Sequence, residues 1–424
     1  MATKTVRIPL VGSLINRNVN PNSFATKDQI FVNCYPEVVQ NAITGKGKVY
    51  LNKRPGFANG SALTGVVDGN FGSCVSSISG SPIGIVSFFN TSLTSTSVWD
   101  IDGTKIGGDI ANTTYCYSLT ETSISGVVTL VGIFSDSTTG AREAWYFPAG
   151  GAWTQITDAD FPPNLGTPEP LIGAPVHLNG RMYVMTTNGK MWNSDLNSLA
   201  NWTASAFNTA QSYPDGGVGL ARYKDFIVAF GLYSVEFFQD VGLTPSPIVT
   251  IGNSVNRIGA ITVGLGTASS IREVANTIYF IGTDVTTGQK GVYRINGFGA
   301  EKVSNPAIDK LLASDIITGI AGAATLHGLS HVVLWPGVNS YTYCVENNTW
   351  WILDIDGTEQ IISFIGNDGN SYFCNSTATI KTIDATSPVY QDAGVAYTQT
   401  IQLENMDMGT QNDDIVAALD AIAA

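Results

Sequence analysis

A chain of 424 residues with only 13% charged side chains, against about 25% in ordinary soluble proteins, has ample material for a core and must build its surface from neutral polar groups. Eight Lys/Arg precede Gly56 against Asp28 and Glu37, which leaves 13 basic and 32 acidic residues for the rest of the chain. A body this acidic repels phosphate and disfavours nucleic-acid binding through a basic face, while remaining compatible with a loosely held nucleic acid passing by.

The start, "MATKTVRIPLVGSLINRN", has no long apolar core, and no window approaches 18 consecutive apolar residues. Neither a signal peptide nor a membrane span is expected. Cysteines at 34, 74, 116, 344 and 374 are odd in number and lack Cys-x-x-Cys spacing, which suits free thiols in a reducing compartment and no structural zinc. The Asn-x-Ser/Thr sequons at Asn59, Asn90, Asn112, Asn201, Asn347 and Asn375 follow from an Asn- and Thr-rich composition.

In chain order we divide the sequence into an N-terminal arm over 1–60, a body over 61–400 and a tail over 401–424. In the body, "IGIVSFF", "VVTLVGIF", "RMYVMTT", "DFIVAF", "TIYFIG", "HVVLWPG" and "IISFIGN" begin at 83, 127, 181, 225, 277, 331 and 361. Such apolar runs, too short for a helix and bounded by turn formers, predict buried strands. Six are followed by a second aromatic or β-branched run, as "VEFFQ" follows "DFIVAF" across the turn "GLYS", and the first by "STSVWDIDGTKI". Repeating units of about 40–50 residues built from short strands predict an all-β fold: a β-propeller-like body of six or seven irregular blades with few short helices. A toroid also removes exposed sheet edges. A sandwich or stacked β-domains would give similar runs, and that alternative stays open on pattern alone. Helix is predicted at "SNPAIDKLL", with Pro306 in the first turn, and at "NDDIVAALDAIAA", with Asn412 as N-cap and Ile415, Leu419 and Ile422 on one stripe.

The chemistry-bearing residues are sparse. Histidine occurs only at His177, His327 and His331. In "HGLSH" the two imidazoles have metal-binding spacing for a helix, but Gly328 and the strand-like "HVVLW" argue against a ligand pair. "WDIDG" (Trp99–Gly103) and "LDIDG" (Leu353–Gly357) begin like calcium loops, then place Lys105 and Glu359 where the sharp-turn glycine belongs. Asp-Gly after a strand reads instead as a hairpin turn. No P-loop and no Gly-x-Ser-x-Gly elbow is present. "SDSTTGAREAW" (Ser135–Trp145) misplaces the Asp, Gly and Trp of a sialidase-type turn, and no carboxylate pair stands out for glycoside hydrolysis. We therefore expect no catalytic residue, cofactor or metal. Lys46, Lys48, Lys53 and Arg54 form the basic cluster with which the arm can orient a contact to an acidic neighbour.

Three stretches carry a resemblance. "DGGVGLARYKDFIVAFGLYSVEFFQDVG", led by Pro214, Asp215 and Gly216, "GVYRINGFGAEKVSNPAIDKLL", and "VNCYPEVVQNAITGKGKVYLNKRPGFA", ending at Pro55 and Gly56, are together similar to the packaged-DNA stabilisation, or tail hub (nozzle), proteins of short-tailed bacteriophages. The resemblance implies a sixfold ring of identical subunits in the virion tail, assembled in the host cytoplasm and attached below the portal and its adaptor ring. It further implies that the ring retains packaged DNA, lets it pass without sequence-specific binding, and carries fibres or spikes. The Lys46, Lys48, Lys53 and Arg54 cluster would then face a neighbouring subunit or the adaptor. The chain departs from the family pattern after "QTIQLENMDMGTQN", where a short Ala-rich helix is predicted in place of more β-structure. The competing functions are a receptor- or glycan-binding propeller of a tail fibre and a glycosidase-type propeller enzyme.

Overall fold

The computed structural model describes residues 30–40, 47–210, 212–213, 215–242, 255–314, 320–335, 340–354, 361–367, 370–375, 379–383 and 390–402. Its strands form seven antiparallel blades around an axis, in strict chain order. Blade 1 runs from Val66–Ser76 to Ile110–Ala111, blade 2 from Thr113–Ile124 to Thr154–Gln155, blade 3 from Leu171–Leu178 to Trp202–Thr209, and blade 4 from Gly217–Tyr223 to Val255–Ile261. Blade 5 spans Val263–Leu265 to Gly299–Lys302, blade 6 Ile320–Leu326 to Thr349–Ile352, and blade 7 Ile361–Asn367 to Thr379–Ile383. The first strand of each blade is innermost, and successive first strands neighbour one another around the ring except between blades 4 and 5, where Gly217–Tyr223 meets the turn Ala268–Ser270 and the strand Thr277–Asp284.

The apolar runs explain why. Strand Phe226–Gly231 is buried along nearly its whole length, because its two faces pack into different clusters. Val228 and Phe230 meet Phe237 and Phe280 between blades 4 and 5, while Ile227 and Ala229 meet Leu220 and Phe238 toward blade 3. A strand sandwiched between two neighbours loses the polar alternation of a half-exposed one. The first six runs noted above are the second strands of blades 1 to 6, and "IISFIGN" is the first strand of blade 7. That offset accounts for the short last interval.

Two-residue turns with both residues at positive φ join first and second strands in four blades: Ser125–Gly126, Asn179–Gly180, Ala275–Asn276 and His327–Gly328. These are the turns whose twist matches paired strands. "HGLSH" is thus a hairpin, and among the described residues no group of three or more His, Cys, Asp or Glu is placed to hold a metal. "WDIDG" is a turn as well: the Asp100 carboxylate accepts the Thr104 amide at 2.7 Å, and Gly103 has φ +89°. The residues of "LDIDG" after Asp354 lie outside the described set. No disulfide joins any of the five cysteines.

One α-helix is present among the described residues, Pro306–Ser314. Asn305 caps it, its side-chain oxygen accepting the Ile308 amide at 2.9 Å, and Ile308 and Leu312 bury against blades 5 and 6. The predicted C-terminal helix lies outside the described residues. Ring closure uses the far ends of the chain: Ala58–Ala62 supplies the outermost strand of blade 7, and Ile30–Val32 with Thr400–Gln402 extends blade 6.

Candidate functional site: the closure seam, the blade 4 hairpin and the axis

Strand Ile30–Val32 lies parallel to Thr349–Ile352 at the rim of blade 6. Asn33, at φ +58°, turns the chain into a separate hairpin, Cys34–Gln40 paired with Gly47–Lys53. Tyr35 anchors its base. The Tyr35 hydroxyl and Nδ1 of His327 share a hydrogen bond at 2.5 Å, and the Tyr35 ring packs on Trp351 and His331 with centroids 5.4 and 5.0 Å away. Asn347 adds a hydrogen bond to the Pro36 carbonyl at 3.3 Å. The His331 Nδ1–H donates to the Leu329 carbonyl at 3.0 Å, and burial pushes this imidazole down to about 4, so it is neutral at physiological pH.

Behind the hairpin, Arg54 is 1% exposed and makes a bidentate pair with Asp392, one arm at 2.8 Å. Its Nε donates to the Asn33 side chain at 2.8 Å and its other nitrogens reach the Pro55 and Asp354 carbonyls, both at 3.0 Å. Tyr397 covers the guanidinium at 3.9 Å and donates its hydroxyl to the Arg54 carbonyl. The sequence signal here is the Pro55–Gly56 pair: a side chain at Gly56 would collide with the Gln391 backbone, which crosses directly over it. Only glycine admits that approach.

Of the four predicted contact residues, Arg54 is therefore committed internally to the seam and is not available at the surface. Lys53 is partly buried over the rings of Tyr390 and Tyr397, at 5.2 and 5.0 Å. Lys48 sits on the outgoing hairpin strand, and Lys46 lies outside the described residues. Asp392 and Tyr397 carry no local sequence signal, since both meet Arg54 from hundreds of positions away, and Asn33 bonds Arg54 across 21 positions and Thr398 across 365.

The motif in blade 4 has an equally concrete basis. Asp215 accepts from the Tyr233 amide at 2.7 Å and from the Ser234 hydroxyl at 3.2 Å, so the Asp of the Pro-Asp-Gly lead clamps the "GLYS" turn. Gly231 is required because a Cβ there would strike that carboxylate. Glu236, the acid of "VEFF", is 0% exposed and accepts from the Ser212 amide at 2.7 Å and from Arg257 at 3.4 Å. The clamped turn presents Leu232 and Tyr233, about half exposed.

Blade 5 breaks its innermost strand into Val263–Leu265 and Arg272–Val274. The intervening turn, Ala268–Ser270, lies against the innermost strands of blades 3, 4 and 6 and so fills the axis. Ala268 and Ile271 pack over Gly219 of blade 4. Arg272 follows the turn, and desolvation by burial lowers the pKa of its guanidinium. The propeller axis is a plugged core.

Comparison with known proteins agrees with this architecture. Residues 141–316, from the third strand of blade 2 through the helix, match the family described as Bacteriophage P22 Gp10, β-propeller. A segment of 134 residues is 28% identical to the tail hub protein gp10 of Salmonella phage P22, covering 31% of this chain and 27% of that protein. Virginiamycin B lyase from Staphylococcus aureus superposes with a TM-score of 0.50 at 13% identity, over 76% of this chain and 97% of the lyase. A catalytically inactive form of that lyase, solved with quinupristin, matches equally well. At 13% identity these two structures share the fold and nothing more. Two of the three sequence stretches, 215–242 and 291–312, thus fall within residues 141–316, the part of this chain that is similar to the phage P22 Gp10 β-propeller family, while the stretch 32–58 lies outside it and the chain spans about a quarter of the length of the curated relative it matches.

Proposed function

We propose that this chain is a structural tail hub, or nozzle, subunit of a short-tailed phage virion, without catalytic residues. Copies would form a ring below the portal and adaptor that retains packaged DNA, lets it pass on ejection, and anchors fibres or spikes. The observation that carries the reading is the match over residues 141–316, which includes the clamped hairpin of blade 4 with Asp215, Gly231 and Glu236 in their structural roles.

The plugged axis supports a ring of several copies. A duplex whose major groove alone is about 12 Å wide has no path along an axis filled by Ala268–Ser270. Passage has to occur in a channel lined by several subunits. An acidic body suits such a channel, because phosphates meeting carboxylates find no adhesive wall, with repulsion reaching about 8 Å at physiological salt. Among the described residues no helix is long and apolar enough to cross a membrane.

The test is genetic and visual. Particles lacking the protein should package DNA and then leak it, and electron microscopy of the purified protein with its adaptor should give sixfold rings. Fully infectious particles without it defeat the hub. Glycan binding by a solitary chain, or turnover of a polysaccharide abolished by one carboxylate change, would establish one of the two competing functions instead.

A further inference from the structure

Two features lie on opposite rims of the disc and have no role in the reading above. The first is a groove of about 290 Å³ between blades 2 and 3, on the face bearing the turns between first and second strands. Ile124, Val127, Tyr146 and Pro148 form one wall and Leu199 the other, and none of its lining residues is charged. Leu199 packs with fully buried Met182, so the recess is built on a fixed base. Its edge leaves Val127 45% and Leu196 53% exposed. The recess thus joins an apolar floor to an exposed apolar edge.

The second feature is the point where the chain joins the disc. Because Ile30–Val32 runs parallel to Thr349–Ile352, residue 30 lies at the end where Thr349 begins, on the same face as the groove. Blade 6 is diametrically opposite the junction of blades 2 and 3 in a ring of seven. The 29 preceding residues carry Lys4, Arg7, Arg17 and Lys27 against Asp28, and an apolar run with Val6, Ile8, Leu10, Val11, Leu14 and Ile15. Extended, they reach about 100 Å. Their charge opposes that of the body, with its 32 acidic and 13 basic residues after Gly56.

We propose that an apolar side chain of the run Val6–Ile15 of one copy seats in the groove between blades 2 and 3 of the adjacent copy. The inference rests on the ring reading. A donor on one rim and its acceptor on the opposite rim make a heterologous contact, the kind that closes into a ring when the rotation between copies allows. Placing the blade 6 rim of one copy beside the groove of the next shortens the path, whereas docking on the same copy requires crossing the whole face.

The test uses the full-length protein with a photo-crosslinking residue in place of Leu14, prepared as a mixture of isotopically labelled and unlabelled chains. Crosslinks between copies should map to the groove, in peptides containing 124–148 or 196–200. Leu10→Asp, in the run itself, and Ala200→Trp, in the groove wall, should each cut the yield at least tenfold. Crosslinks within one chain, crosslinks to other peptides, or yields unchanged by both variants overturn the inference. Particle mass on the same samples separates the two readings. Rings without groove crosslinks sink the inference alone, while chains that stay single sink the ring and the inference with it.

Discussion

Blade 4 is one unbroken stretch, Gly217 to Ile261, whereas blade 7 takes its outermost strand, Ala58–Ala62, from the other end of the chain. The two are held differently. Around blade 4 the fully buried groups are mainly apolar, such as Phe230, Phe237 and Phe280, and the polar contacts of Asp215 and Glu236 join residues within about two dozen positions of each other. At the seam, Arg54, Asp392 and Asn33 form a buried network between distant segments. A local hairpin needs little beyond turn chemistry to find its register. Segments separated by the whole chain must also offset loop-closure entropy, and a forked guanidinium–carboxylate pair accepts one arrangement only.

The sharpest way to break the contrast is Arg54→Met. Removing the cation leaves Asp392 buried without its partner, for an expected loss of about 3–5 kcal/mol, read by denaturant unfolding. Arg54→Met combined with Asp392→Leu should recover much of this, since two apolar groups replace two charges. Lys53→Met, one residue away and partly exposed, should stay within about 0.5 kcal/mol. A single-variant loss below about 1 kcal/mol would mean that the seam closes without its ion pair.

Acid should weaken the same region next. His331 is 0% exposed and burial holds its pKa near 4, below the unfolded value of about 6.5. Between those two values the unfolded chain binds more protons, so stability falls as pH drops from about 6.5 to about 4, by on the order of 3 kcal/mol. His331→Phe should flatten that part of the stability curve while keeping the ring stack with Tyr35 and Trp351. An unchanged slope in the variant would assign the acid sensitivity elsewhere.

Blade 4 should respond more mildly. Asp215→Ala removes the acceptor for the Tyr233 amide and the Ser234 hydroxyl, at an expected cost of about 1–3 kcal/mol. Because the turn is exposed, the change should also quicken hydrogen exchange at Tyr233 with little effect on Phe237 in the core. Uniformly faster exchange across the blade would show that the clamp supports more than its turn.

This difference between regions also set what could be read in advance. Runs such as "DFIVAF" and "TIYFIG" announce blades because a strand packed on both faces must be apolar throughout, and that is a local property of composition. The basic cluster was legible as charge and not as geometry: nothing near Arg54 reveals that Asp392 waits far along the chain to bury it. The plug at Ala268–Ser270 was hidden for a related reason. Its small side chains look like any loop, and their meaning depends on Gly219 in another blade leaving room for Ala268 and Ile271.

The smallest effects belong to a turn that two blades share. Asp136-Ser-Thr-Thr-Gly140 in blade 2 and Asp284-Val-Thr-Thr-Gly288 in blade 5 join second to third strands with the same hydrogen bonds: the carboxylate accepts from the threonine amide and hydroxyl three residues on. Bonds from Thr139 draw the Asp136 pKa below the ordinary carboxylate range, and bonds led by the Thr287 amide do the same for Asp284. A depressed carboxylate contributes stability that is present above its unfolded pKa of about 3.9 and is lost as pH falls through the lower folded value. Asp136→Asn should therefore lower the thermal midpoint at neutral pH by about 1 °C or less, with the gap to the parent closing below pH of about 3. Asp284→Asn should behave alike, since both carboxylates accept from the amide and hydroxyl of the threonine three residues on. A gap that persists in acid would mean the aspartates shape their turns through packing or backbone conformation, and that charge on the acceptor contributes nothing.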